Sequence, residues 1–163
     1  MKYVVILSLL LSSAAMAAPS RAPREPAAPR VAPEIAAFEA GTAALLQMDF
    51  RRAERELRRA LRTRESFAEA HNNLAFVLRK QGPSRFEEAL RHYQRAIELN
   101  AELAEAHMYL GVLYVQMGNA ELAQAQHGRL LELNEDLAAE LAWVIENGRE
   151  KEPAQFFGVV RAL

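Results

Sequence analysis

The 163-residue chain contains no cysteine, which excludes disulfides, thiol nucleophiles, cysteine-ligated zinc and lipid attachment through sulfur. Its seven glycines are scattered, and there is no phosphate-cradling glycine loop, G-x-S-x-G, H-E-x-x-H or calcium loop. Neither sign of charge dominates: a net charge of −1 and a pI near 6.4 give no global reason to expect nucleic acid or an anionic membrane as partner. Strand-like alternation of apolar and polar residues is missing throughout. The length suits one domain with a real core rather than two.

Residues 1–18, MKYVVILSLLLSSAAMAA, have the order of a cleavable export signal. Lys2 precedes an apolar run over residues 3–11, and Ala15, Met16 and Ala17 form an A-x-A site, so cleavage is expected after Ala17 or Ala18. The run is shorter than the roughly 20 residues of a bilayer span, so no stable membrane span is expected after cleavage; a retained anchor is the alternative. An exported protein follows, periplasmic in a Gram-negative cell. Residues 19–33 hold five of the seven prolines and read as an extended, solvated linker. Docking through this proline-rich stretch is a weaker reading than a spacer.

From Glu34 onward apolar and alanine positions recur every three or four residues, the period of helices. The phrase AEAHNNLA at residues 68–75 returns as AEAHMYLG at residues 104–111. His71 aligns with His107, Leu74 with Leu110 and Ala75 with Gly111. Ala89 aligns with Ala123 once two extra residues in the turn QGPSRFEEA are allowed for, and insertions in turns are cheap. A more divergent copy comes first, aligning Gly41 with Ala75, Ala53 with Ala89 and Ala60 with Ala96.

These three units of about 34 residues resemble the tetratricopeptide repeat (TPR) family. The resemblance rests on small residues at the eighth position (Gly41, Ala75, Gly111) and twentieth (Ala53, Ala89, Ala123). Larger residues stand at the eleventh (Leu78, Tyr114) and twenty-fourth (Leu57, Tyr93, His127), and Ala60, Ala96 and Leu130 at the twenty-seventh. It departs from the family where Glu65, Ala101 and Glu135 replace a proline and where Ala44 replaces a bulky residue. The resemblance implies an all-α fold, a right-handed α-solenoid of helix-turn-helix units at about 34–67, 68–103 and 104–137. A capping helix at 137–147 completes a domain spanning 34–147, and an apolar tail covers 148–163.

Small residues at the eighth and twentieth positions let paired helices approach closely, so Gly111→Leu is expected to split the third pair by overpacking. Gly82 and Gly118 fit left-handed turns after first helices. The capping helix offers Leu137, Leu141, Val144 and Ile145 to the exposed end of the stack. The tail, with Phe156, Phe157, Val159, Val160 and Leu163, is too apolar for a free end and is expected to fold back onto the capping helix or into the groove.

The four histidines follow the repeat register, so a structural role outweighs metal ligation, and no cofactor is expected. No nucleophile or acid/base pair emerges, which argues against an enzyme. Function is then expected from surface shape. The resemblance places Phe38 and Thr42 of the first unit, Asn72, Asn73, Phe76, Arg79 and Lys80 of the second, and Met108, Tyr109, Val112 and Gln116 of the third on a concave, peptide-binding groove. Asparagines would bond a peptide backbone, and Arg79 and Lys80 would meet an acidic residue. Packing between helices or against the tail is an equal reading for Phe76, Met108 and Tyr109. Family members that grip a free C-terminal carboxylate use a lysine and an asparagine where this chain has Phe38 and Thr42, so that clamp is not expected.

The expected role is a non-catalytic adaptor or scaffold in the cell envelope that binds a protein or peptide. Residues 18–66 carry a charge of +3 and residues 104–163 one of −5. The alternative role is therefore a self-associating accessory subunit, a homo-oligomer assembled through oppositely charged ends.

Overall fold

The computed structural model describes residues 31–151. The expected export signal, most of the proline-rich linker and the tail beyond Lys151 lie outside the described residues. Seven α-helices run in order: α1 (Pro33–Leu46), α2 (Phe50–Thr63), α3 (Ala68–Lys80), α4 (Phe86–Leu99), α5 (Ala104–Gln116), α6 (Ala120–Leu133) and α7 (Glu135–Asn147). A single 3-10 turn, Pro83–Arg85, precedes α4. Consecutive helices pack as hairpins, and α1, α3, α5 and α7 form an inner row of successive neighbours. The domain is an all-α helical-repeat solenoid of three hairpins closed by α7.

Local chemistry sets the helix ends. Pro33 opens α1 at its first turn, where the missing N–H is no loss, so the helix begins inside the residues read as linker. The Asp49 side chain accepts from the Arg52 N–H at 3.0 Å and Asn119 accepts from Leu122, capping α2 and α6. Asn134 accepts from Leu137 at 3.0 Å, which starts α7 two residues before the expected Leu137. Turns inside the hairpins need a positive φ. Gly82 (φ 112°) and Gly118 (φ 75°) supply it without strain, but in the first hairpin the position equivalent to Gly118 is Met48, at φ 59°, a conformation that costs a residue with a Cβ about 1–2 kcal/mol.

The repeat positions form the core. Ala53, Leu57, Ala60, Ala75, Ala89, Tyr93, Ala96, Ala123 and Leu130 are all fully buried; His127, at the position of Leu57 and Tyr93, is only partly so. The two glycines of the eighth position meet different helices. A Cβ on Gly41 would lie 2.8 Å from Leu57 Cγ and 3.2 Å from the Leu57 backbone nitrogen, in its own hairpin. A Cβ on Gly111 would instead strike the Leu141 side chain of α7, 2.8 Å from Cδ1. The expectation that enlarging Gly111 splits the third hairpin is therefore corrected: the contact it breaks is between α5 and α7, because the inner row brings α7 against the face of α5 where Gly111 lies.

Candidate functional site: the inner face of α3 and α5

The helical period places Asn72, Phe76 and Arg79 of α3 on one stripe, beside Met108, Tyr109, Val112 and Gln116 of α5. The rings of Phe76 and Tyr109 meet edge to face with centroids 4.9 Å apart, a favoured aromatic geometry. The Arg79 guanidinium sits 5.2 Å from the Phe76 ring centroid and 5.7 Å from that of Tyr109, within cation–π range. Arg79 also donates from Nη1 to Gln116 Oε1 at 3.3 Å, bridging α3 to α5. Lys80, over Phe76 at 5.5 Å, forms the half-buried rim.

The acidic partner expected for this basic rim comes from the chain itself. Past α7, Gly148 adopts a left-handed turn (φ 69°) and its N–H donates to Val144 O. The next residues alternate in direction: Arg149 and Lys151 lie over the Trp143 ring of α7, while Glu150 reaches α3. Its carboxylate takes a two-pronged bond from Arg79, Nη1 to Oε2 at 2.9 Å and Nη2 to Oε1 at 3.0 Å, and a third from Lys80 Nζ at 2.6 Å. Such paired, charge-assisted bonds are among the stronger polar contacts in proteins. Burial alone would raise the Glu150 pKa, but Arg79 and Lys80 outweigh it and hold the carboxyl at about 2. For Arg79, burial opposes the charge, and the facing Tyr93 phenol and Glu150 carboxylate hold its pKa above the usual value. The buried Tyr93 hydroxyl, without a regular hydrogen bond, is pushed up to about 12 by burial against the pull of Arg79.

Other residues of the expected groove have more structural surroundings. Phe38 is fully buried and packs against Phe67, the rings tilted by 35° with centroids 4.8 Å apart, in the seam between α1 and the start of α3. Thr42 accepts from Asn73 Nδ2 at 3.3 Å, and Asn73 Oδ1 accepts from Asn72 Nδ2 at 3.2 Å, a polar thread joining the first two units. Asn72 Oδ1 is left buried without a partner. Gln116 is exposed at the end of α5.

The histidines act as braces. His71 Nε2 donates to the Glu65 carbonyl at 2.9 Å, so its Nδ1 accepts from His92 Nδ1–H at 2.8 Å. In the next unit His107 repeats the tie, to the Ala101 carbonyl and the Gln126 side-chain amide. Each pins a first helix to the turn before it and to the second helix of its own hairpin. Among the described residues no group of three or more His, Asp or Glu side chains stands together in a way that could hold a metal ion.

On the outer side, Glu54 of α2 accepts from Arg58, Arg85 and Gln81, and Glu88 accepts from Arg58 and Arg85. The first two units are thus clasped through the turn that carries the two-residue insertion. Arg59 pairs with Glu56. Part of the basic charge of residues 18–66, on which assembly through charged ends would draw, is therefore paired within the domain.

Glu150 and Tyr93 are the site residues that sequence reasoning did not select. A basic rim without an acidic partner in its own units was the only signal for the first, and the repeat register placed the second in the core.

Comparison with known proteins agrees with this geometry. The TPR repeat family matches over residues 84–118, which spans α4 and α5. No curated protein is matched in sequence. Among solved structures, the TPR domain of Arabidopsis OM64 superposes with a TM-score of 0.65 at 16% identity, over 72% of this chain and 97% of that one. The TPR2B domain of yeast Sti1, in its pHsp70 complex, does so with a TM-score of 0.60 at 18% identity, over 71% and 98%. Residues 84–118 thus carry a TPR repeat, and the described domain has the TPR fold.

Proposed function

We propose that this chain is a non-catalytic adaptor or scaffold, exported to the cell envelope, that binds a peptide or protein segment on the inner face of α3 and α5. The observation that carries the reading is the constellation of Phe76, Tyr109, Arg79 and Lys80. Two rings flank the Arg79 cation, Arg79 and Lys80 together bind one carboxylate, and on the same stripe of α3 the buried Asn72 Oδ1 has no partner. That is the chemistry of a site for an extended segment with an acidic residue beside apolar ones. The similar fold of the Sti1 TPR2B domain, solved as a pHsp70 complex, is consistent with such a use of the fold, and the residue pattern of positions 1–18 supports export.

Self-association through charged ends is the weaker reading, since Arg58 and Arg59 already hold Glu54, Glu56 and Glu88. Crosslinked affinity capture from the native envelope compartment tests the choice. Partner recovery is expected to disappear with Lys80→Glu and to survive Arg51→Glu/Arg52→Glu on the exposed start of α2. The reverse result would refute the groove and favour the ends.

A further inference from the structure

The outer row of helices is spread where the inner row is packed. Inner helices touch in succession, α1 with α3, α3 with α5 and α5 with α7, whereas among the described residues no backbone contact joins α2 to α4 or α4 to α6. The outer helices therefore stand further apart than the about 8–10 Å of packed neighbours, and an open cleft lies in each gap. The first, of about 250 Å³, has Arg58, Leu61, Arg62 and His92 on its walls and His71 and Leu74 of α3 at its floor. The second, of about 480 Å³, has Gln94, Ile97, Glu98 and Gln126 on its walls and His107 and Leu110 of α5 at its floor. Residue for residue, these are equivalent positions of the repeat.

The apolar part of the cleft is kept from one unit to the next and the polar part is not. Leu61 and Ile97 are both only half-buried, so each cleft offers an apolar wall to whatever enters. Arg58, Arg62 and His92, by contrast, have Gln94, Glu98 and Gln126 as counterparts, so the first cleft alone has a basic rim. That basic charge is not used up within the domain. Arg58 gives Nε to Glu54 and Nη2 to Glu54 and Glu88, and its Nη1 has no partner among the described residues. Arg62, exposed one turn further along α2, makes no side-chain hydrogen bond or ion pair with any described residue. In the second cleft, Glu98 is already paired with Arg95.

An occupant reaching both clefts must cross α4, which offers no free backbone groups for a strand to pair with. A helix satisfies its own backbone and needs none. Side chains seven or eight residues apart share one face of a helix and stand about 10–12 Å apart along it, the scale of the step between clefts. We propose that the outer row is a second docking surface for an amphipathic helix of a partner protein, which seats one apolar side chain in each cleft and sets an acidic residue against Arg58 and Arg62. This surface lies on the other side of the domain from the inner face and does not depend on it. With both occupied, the domain would join two proteins.

The test selects displayed helices, randomised along one face, against the full chain. Enrichment is expected for an apolar pair seven or eight residues apart with an acidic residue within one turn of one member. The selected helix, made as a labelled peptide, should lose at least about tenfold in affinity for Arg62→Glu, through like-charge repulsion, and for Gln94→Trp, which fills the second cleft. Both positions are exposed, and an unchanged melting temperature shows that each variant is folded. Lys80→Glu should bind as the parent does. No enrichment, helices without the acidic residue, or affinity indifferent to both outer variants would overturn the proposal, and loss in only one of them would overturn the span across two clefts. Loss in Lys80→Glu would move the helix to the inner face. Sedimentation of the chain alone covers the remaining occupant: dimers abolished by Arg62→Glu would assign the surface to a second copy and overturn the partner.

Discussion

Gly111→Ala separates packing from helix propensity by the sign of its effect. Gly111 lies in the middle of α5, where replacing glycine by alanine stabilises an unconstrained helix by about 1 kcal/mol. The added methyl, however, would stand 2.8 Å from Leu141 Cδ1 and closer still to Cδ2, well inside van der Waals contact. Leu141 is fully buried, so its side chain can retreat only by displacing its neighbours or by pushing α7 from α5. Overpacking of this kind costs about 1–3 kcal/mol. The two effects oppose each other, and with overpacking in the upper part of that range, about 2–3 kcal/mol for so close an approach to a buried side chain, the net loss is about 1–2 kcal/mol, or about 4–8 °C in melting temperature for a domain of this size. Thermal unfolding followed by circular dichroism, with urea titration alongside, measures it. Shortening the obstacle in Gly111→Ala/Leu141→Val should return part of the loss, because neighbours in contact are non-additive. A single Gly111→Ala variant as stable as the parent, or more so, would refute the close approach of α5 to α7.

Three further outcomes follow from the same reasoning. The His71–His92 bond requires one neutral acceptor. Burial, then His71 and Arg58, hold His92 at about 4, and burial lowers His71 too, with Glu65, Glu88, Arg91 and Arg95 the other charges facing the pair. Both folded pKa values lie below the unfolded one near 6.5, so this stability is present above that pH and is lost as pH falls toward 4. Unfolding free energies from urea titration should drop by about 2 kcal/mol across that window after allowance for partial exposure, and His92→Gln should flatten the profile; a flat profile in the parent would exclude the pairing. Met48→Gly should stabilise the domain by about 1 kcal/mol by relieving the left-handed turn, and a destabilised variant in the same unfolding assay would show that the Met48 side chain contributes packing instead. Burial would raise Glu54, but Gln81, Arg85 and Arg58 bring it down to about 2. Its contribution is therefore complete above pH 4.5 and fades as pH falls through 2. At neutral pH Glu54→Gln should cost about 2 kcal/mol, measured by chemical denaturation, and no loss would mean that the clasp between the first two units is replaceable by water.

The hairpins were legible because close helix contacts demand small residues at fixed intervals, and Gly41, Ala53, Ala75, Ala89, Gly111 and Ala123 declare that interval without help from the rest of the chain. What each small residue touches was not legible. Gly41 meets its own hairpin and Gly111 meets α7, although the two occupy the same place in the repeat, because the inner row of helices ends at α7 and the geometry there is set by the cap. Pairings across a hairpin, such as His71 with His92 twenty-one residues away, depend on rotation of two helices about their axes, which an aligned phrase does not encode. Phe38 shows a related limit: its repeat position suggested a groove wall, but contact with Phe67 puts it in a seam that only the tertiary arrangement creates. Glu150 lay beyond the last repeat, where periodicity has nothing to say, and only the demand of Arg79 for a counterion connects it to the site.

Arg79 has a side chain with no solvent exposure, and its proton is effectively permanent. Vacating the groove outright would strand that cation in an apolar setting, a penalty of several kcal/mol for an ion without compensation. Under the proposed reading, an acidic partner would therefore have to take over Arg79 from Glu150 rather than enter a vacated site, and the half-buried Lys80, bonded to the same carboxylate, is where it would meet the pair first. Release would then quicken as the concentration of the competing acidic segment rises, rather than proceeding at a fixed spontaneous rate.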